Sequence, residues 1–320
     1  LERFAQYRAS KEPGIRAEGD LPFLRTHGAS TAGAVLLVHG LTDSPYYVAT
    51  LADALYAQGF NVVSVLLPGH GTQPECLLRV KKEQWQSEVR FGLNLARRLG
   101  AKVSMAGFST GGALSLDALY EDFSASNRDP IPWGDLFLFS PAIGFDTPAV
   151  DICDIPGVDD VVEKAMPWKG KNPDAPETNP YKYTKMATNA VCQLVYLTQA
   201  NSFRLGAIGR DIAAHGIGVF AVESMADTTV SPEAVVSFIN GLPAGVRKDL
   251  ITYPKADGIA HADVPRPETN PHYGEMVSAL DGFLTAAGAA AAPTTAPVSS
   301  APAGDAAMKK AGDIAAELSR

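Results

Sequence analysis

Between residues 31 and 285, short apolar runs alternate with stretches whose apolar positions recur every three or four residues. The runs at 34–38, 61–66, 103–106, 135–140, 216–222 and 249–253 lack the apolar–polar alternation of a half-exposed strand. All six read as strands, the first three of them buried. Between them, Val48, Leu51, Ala52 and Leu55 predict a helix with Ser44 as its cap, Pro45 at its first position and Gly59 as its stop. A second helix is expected over 81–99, with Trp85, Val89, Leu93 and Ala96 on one face and Gly100 ending it. Others follow over 113–120, after the Ser231-Pro232 cap with Val235, Val236, Phe238 and Ile239 inward, and over 272–284. Strand and helix in alternation predict an α/β fold, a mainly parallel sheet with helices on both faces. Ligands of such sheets gather at the carboxyl ends of the strands.

Three segments interrupt the alternation. Residues 1–30 mix charge, Pro and Gly around one candidate strand at 21–27, and read as an extended arm along the sheet edge. Residues 146–201 are Pro-rich loops around a long apolar helix, with Met186, Ala190, Val191, Leu194, Val195 and Leu197. An insertion of that length between consecutive strands is expected to be a cap or lid. Residues 286–320 collapse to Ala, Pro, Thr and Ser, a linker or tail, with a short amphipathic helix expected over 306–320. The expected organisation is an arm at 1–30, a core at 31–145 and 202–285, a small helical cap at 146–201 and a tail at 286–320.

Composition changes this picture little. An apolar fraction of 46% and a charged fraction of 19% suit a globular chain with a sizeable core. The net charge of −8, with no Lys/Arg cluster, speaks against nucleic acid as a partner. No apolar run reaches the length of a transmembrane helix. Cys76, Cys153 and Cys192 lie far apart; they could form one disulfide or stand as three small buried side chains. The chain starts at Leu1 rather than Met, so a signal or anchor could have preceded it, and cytoplasmic and exported locations both stay open.

Candidate chemistry gathers after the strands. Gly107-Phe108-Ser109-Thr110-Gly111-Gly112 joins an apolar strand to an apolar helix, a context in which a tight turn lifts a serine above the sheet. The plainer reading is a connecting turn or a phosphate cradle. A serine nucleophile needs a base, an orienting acid and an oxyanion site. His261, in the loop after the 249–253 run, is the base candidate, against a plain surface-loop histidine. Asp227, after the 216–222 run, is the leading acid, with Glu223, Asp257 and Asp146 as competitors and a turn aspartate as the plainer reading. The oxyanion donors would be the backbone N–H groups of Thr110 and of Leu41, which follows His39-Gly40.

Together, Leu36-Leu37-Val38-His39-Gly40-Leu41-Thr42-Asp43-Ser44-Pro45, Leu67-Pro68-Gly69-His70-Gly71-Thr72, Gly107-Phe108-Ser109-Thr110-Gly111-Gly112, Asp227 and His261 resemble the α/β-hydrolase superfamily. Within it they are most similar to bacterial carboxylesterases and monoacylglycerol lipases. The order Ser109, Asp227, His261 is that of this superfamily. The resemblance covers about residues 34–284 and implies hydrolysis of a small-molecule carboxylic ester through an acyl-enzyme, with no metal and no cofactor. Short- to medium-chain acyl esters are the expected substrates, and a homodimer is compatible with it. Met186, Leu194 and Leu197 would meet the acyl part, unless they simply pack the cap onto the core. Relatives with similar motifs include proline-type aminopeptidases, so a peptidase or amidase, or a non-catalytic binding homologue, stands as the alternative.

Overall fold

Every apolar run of the core becomes a strand of one sheet. The computed structural model describes residues 1–125, 129–146, 153, 167–169 and 176–286. The strands are β1 (Phe23–Arg25), β2 (Thr31–Val38), β3 (Asn61–Ser64), β4 (Gly100–Phe108), β5 (Trp133–Phe139), β8 (Val219–Ser224) and β9 (Lys248–Tyr253). They lie in the order β1-β3-β2-β4-β5-β8-β9. All neighbours are parallel except β1, which runs antiparallel to β3 at the edge with Phe23 opposite Ser64. Two further short strands, β6 (Trp168–Lys169) and β7 (Met186–Ala187), pair with each other in the insertion.

The central runs are continuously apolar because successive side chains enter two different buried layers, whereas β9 at the sheet edge leaves Lys248, Asp249 and Thr252 exposed. Leu36, Val38, Met105, Leu136, Leu138 and Ala221 face one layer. There they meet α3 (Lys82–Ala96), α4 (Thr110–Ser124), α5 (Thr188–Ala214) and α6 (Pro232–Asn240) through Trp85, Val89, Leu114, Leu197 and Val235. Val35, Leu37, Ala106, Phe137, Phe139 and Phe220 face the other, under α2 (Ala49–Ala57) and α7 (Tyr273–Ala286), where Leu51, Leu55, Met276, Leu280 and Phe283 close it.

Several details depart from the expectations. Residues 2–11 are not extended: α1 (Glu2–Lys11) buries Phe4 and Tyr7, one turn apart. The Tyr7 hydroxyl accepts from Leu66 N–H at 3.1 Å, and Lys11 pairs with Glu88 at 2.9 Å. Ser44 does not cap a helix; a 3-10 turn (Pro45–Val48) intervenes before α2, and no side-chain capping bond forms. Ser231 does cap, accepting from Ala234 N–H at 3.4 Å. Gly100 opens β4 rather than merely ending α3. A Cβ there would stand 2.3 Å from the Ala34 nitrogen, so the close approach of β4 to β2 requires glycine.

The long apolar helix of the insertion, α5, spans 27 residues and runs unbroken across 201–202 into the approach to β8. Buried amides seat it. Asn189 donates to the Leu77 and Val80 carbonyls, Gln193 accepts from Lys82 N–H, and Asn201 donates to the Ala113 carbonyl. Cys153 and Cys192 form a disulfide that ties the insertion to α5, and Cys76 is free and exposed. Expectations for the remainder of 146–201 and for the tail beyond Ala286, including the helix over 306–320, fall outside the described residues. Among the described residues, no helix is long and apolar enough to cross a membrane.

Candidate active site

Ser109 stands between the last residue of β4 and the first of α4, with φ 54° and ψ −113°. A left-handed backbone is costly for a non-glycine residue and holds only where its surroundings enforce it. Here the Ser109 N–H donates to Phe139 O at 3.0 Å, and its carbonyl accepts from Gly112 and Ala142 N–H at 2.9 and 3.0 Å. The flanking glycines let the turn close. A Cβ on Gly107 would lie 2.3 Å from Gly111 C, and one on Gly111 would lie 2.1 Å from Val38 O.

His261 opens a 3-10 turn in the loop after β9, and its Nε2 lies 2.9 Å from Ser109 Oγ. Its Nδ1 lies 2.5 Å from Asp227 Oδ2. Asp227 Oδ1 accepts from the Thr229 and Val230 N–H groups at 2.6 and 3.1 Å, so the carboxylate is held by its own turn. Two ties join the acid and base loops. Ser224 Oγ donates to Ile259 O at 2.6 Å, and Met225 N–H donates to Tyr253 O at 2.9 Å. The arrangement presents a hydroxyl to a base whose other nitrogen is oriented by a buried carboxylate.

Asp257 lies 3.2 Å from His272 Nε2, and Asp146 is exposed. His27 stacks on Tyr56 and His215 on Phe123.

His39 and His70 are buried around the Leu41 loop. His39 Nε2 accepts from Leu67 N–H at 3.1 Å, so its Nδ1 carries the proton and donates to Gly40 O at 2.8 Å. In a trans peptide the N–H points opposite its C=O, so holding Gly40 O also fixes the direction of Leu41 N–H. His70 Nε2 donates to Leu41 O at 2.5 Å, and Tyr183 N–H donates to Thr42 O at 2.8 Å. Burial lowers the pKa of both histidines, and for His39 the neighbouring His70 adds to the effect. His39 is therefore a neutral hydrogen-bonding group near pH 7, while for His70 the carbonyls of Leu41, Pro68 and Leu67 act against the effect of burial. Leu41 is buried in the loop after β2, and Thr110 is the first residue of α4.

The three apolar residues expected to meet substrate all lie in the insertion. Leu194 and Leu197 lie buried in the layer that α5 shares with α4, and Met186 is half-buried in β7.

Glu223, the remaining competitor, lies on β8, but it is not an ordinary strand residue. It is fully buried, with Oε1 accepting from Ser224 N–H at 2.8 Å and from Ser140 Oγ at 3.2 Å. Burial first, and then the Asp227 carboxylate, push its carboxyl up to about 8. Ser140 carries no mark in the sequence beyond its place at the end of the 135–140 run. Its φ of 39° has no sequence signal, since the residue is not glycine.

Among the described residues, no cluster of three or more His, Cys, Asp or Glu side chains could hold a metal ion.

Similarity to known proteins points the same way as the geometry. Over 98 residues the chain is 34% identical to a thermostable monoacylglycerol lipase of Bacillus sp. (strain H-257), covering 31% of this chain and 38% of that protein. Over 88 residues it is 33% identical to a carboxylesterase of Bacillus subtilis (strain 168), covering 27% of this chain and 36% of that protein. The matches thus span less than two-fifths of either relative. The fold is similar to that of a metagenome-derived lipolytic enzyme from a study of LipS and LipT, with TM-score 0.63 and 17% identity over 84% of this chain and 98% of that one. It is also similar to the monoacylglycerol lipase of Paleococcus ferrophilus, with TM-score 0.59 and 16% identity over 83% and 98% of the two chains. The family of serine aminopeptidases, S33, matches residues 29–257, well over half of the chain. The match takes in Ser109 and Asp227 and ends before His261, and the chain belongs to that family within the α/β-hydrolase superfamily.

Proposed function

We propose that the protein is a serine carboxylic-ester hydrolase acting through an acyl-enzyme on short- to medium-chain acyl esters. The observation that carries the reading is the unbroken line Ser109 Oγ–His261 Nε2 and His261 Nδ1–Asp227 Oδ2, at 2.9 and 2.5 Å. Ser109 Oγ attacks the ester carbonyl while His261 Nε2 takes its proton. Asp227 holds the imidazole in the reactive tautomer and stabilises the imidazolium without taking the proton. The carbonyl oxygen becomes an oxyanion facing the N–H groups of Leu41 and Thr110. Donors of this kind are each worth ~2.7–4 kcal/mol of barrier. The C–O bond then breaks, His261 gives its proton to the departing alcohol, and the acyl group stays on Ser109. Water, deprotonated by His261, releases the acid and restores the serine.

Residues 146–201 form the cap in this reading. Support comes from their described C-terminal part, where Lys182 pairs with Asp43 at 2.8 Å and Asn179 donates to Tyr47 Oη at 2.6 Å. Both partners belong to the loop that follows His39-Gly40-Leu41.

Ser109→Ala and His261→Ala are each expected to lose at least ~10³-fold in kcat on p-nitrophenyl esters while staying folded. Labelling of Ser109 by a fluorophosphonate should disappear in the first variant. Wild-type turnover in Ser109→Ala would sink the proposal, and a panel of graded acyl chains tests the substrate range. The family description favours one second reading, a peptidase or amidase acting with the same residues. Matched ester and anilide substrates separate the two.

A further inference from the structure

Behind the Asp227 carboxylate lies a second carboxyl group that the acyl-transfer steps do not use. Glu223 is the penultimate residue of β8 and is fully buried. After it the chain turns back, with Asp227 N–H on Ser224 O at 3.0 Å and Ala226 N–H on Ser224 Oγ at 3.2 Å. The turn sets the Asp227 carboxylate near enough to Glu223 to push its carboxyl up.

The two oxygens of Glu223 are treated differently. Oε1 accepts from two donors, Ser224 N–H and Ser140 Oγ–H. Oε2 is buried and meets no donor. An ionised Glu223 would therefore bury a bare oxygen against a like charge, an arrangement in which two carboxyls do not both ionise. A proton on Oε2 removes the conflict and turns that atom into a donor. Asp227 has room to accept. Its three partners are His261, Thr229 and Val230, and a carboxylate offers about four lone-pair sites.

The backbone points to the same pair. Among the described residues only two non-glycines have positive φ, Ser109 and Ser140. The first is the proposed nucleophile. The second holds its hydroxyl on Glu223, and strain of this kind collects where a site demands it.

We propose that Glu223 is a positioning residue that stays protonated and donates a hydrogen bond from Oε2 to Asp227, fixing the acid that orients His261. The groups facing it are Asp227 from the turn after β8, Ser140 from the end of β5 and the Ser224 N–H. This rests on the serine-hydrolase reading above.

Glu223→Gln keeps both functions, an acceptor for Ser224 and Ser140 and an amide donor for Asp227, whereas Glu223→Ala keeps neither. The test is ester hydrolysis as a function of pH, with fluorophosphonate labelling of Ser109 run beside it. Glu223→Ala should lose roughly 10- to 100-fold in kcat, as small misplacements of a catalytic group do, with KM within about 3-fold of wild type. Glu223→Gln should recover most of that loss. Wild-type kcat should decline above about pH 8, where Glu223 ionises, and the Gln variant should stay flat there. A Gln variant as impaired as Ala, or one sharing the wild-type alkaline decline, would overturn the assignment. So would full kcat in Glu223→Ala. If Glu223→Ala does not fold, the Gln variant and the pH profile still decide. Wild type that fails to label at Ser109 would instead defeat the serine-hydrolase reading, a result distinct from all of these.

Discussion

His39 and His70 are the residues at which burial, charge and the loop geometry meet. Each holds a backbone carbonyl of the Leu41 loop, and a buried carbonyl left without a donor costs ~1–3 kcal/mol. Burial depresses the pKa of His70, so the folded protein resists a proton that the unfolded chain accepts near pH 6.5. Stability from this source is therefore complete above about pH 6.5 and declines as pH falls below it, because the unfolded state then binds more protons. His70→Asn removes the titration. The thermal stability advantage of wild type over this variant should be greatest at pH 7.5 and shrink towards pH 5. An advantage that grows on acidification would show that His70 is charged in the fold. Glu223 has the opposite sign. With its folded pKa raised to about 8 from 4.5, its contribution is complete below about pH 4.5 and is lost as pH rises towards 8.

At the scale of the element, the strand–turn–helix around Ser109 depends on glycines for close approach. A Cβ on Gly111 would lie 2.1 Å from Val38 O, a clash with backbone that no side-chain adjustment relieves. Gly111→Ala should destabilise by at least ~1–3 kcal/mol in urea unfolding and abolish Ser109 labelling. Gly282, inside α7, is the control. Nothing lies within 4 Å of its Cβ position, so Gly282→Ala should stabilise by ~0.5–1 kcal/mol. Equal effects at the two sites would show that the tight packing at the elbow is not what glycine is needed for. The same element shows why so much was legible from residues alone. Gly107, Ser109 and Gly111 sit within five positions, and the strands before them are apolar on both faces. Signals this local survive in sequence. The α1 helix did not, because only Phe4 and Tyr7 are buried among eight largely polar neighbours. Nor did the 3-10 turn at Pro45–Val48, whose apolar spacing resembles the start of α2. The Ser140–Glu223 contact joins residues 83 positions apart on adjacent strands. Glu223 reads in sequence as a competitor for the role of Asp227, and only the fold shows the two side by side.

At the scale of the molecule, the insertion is tied to itself near one described end and to the core near the other. Near its start, Cys153 is joined to Cys192 in the second turn of α5. Near its end, Tyr183 donates through Oη to Gly69 O at 3.0 Å and through its N–H to Thr42 O. These ties differ in what they constrain. The Tyr183 bonds exist only in the folded state, whereas the disulfide also restricts the unfolded chain by closing a loop with a sequence separation of 39. A closure of that length typically contributes ~2–4 kcal/mol. None of the hydrogen bonds among Ser109, His261 and Asp227 passes through it. The double variant Cys153→Ser, Cys192→Ser should therefore unfold at a lower temperature than wild type while labelling Ser109 at a rate within about 3-fold. Dithiothreitol should lower the wild-type Tm to the same value and leave that of the double variant unchanged. A variant with unaltered Tm would mean that the tie between insertion and α5 contributes nothing to stability. A lower Tm accompanied by lost labelling would mean that the insertion sets the geometry of the serine as well.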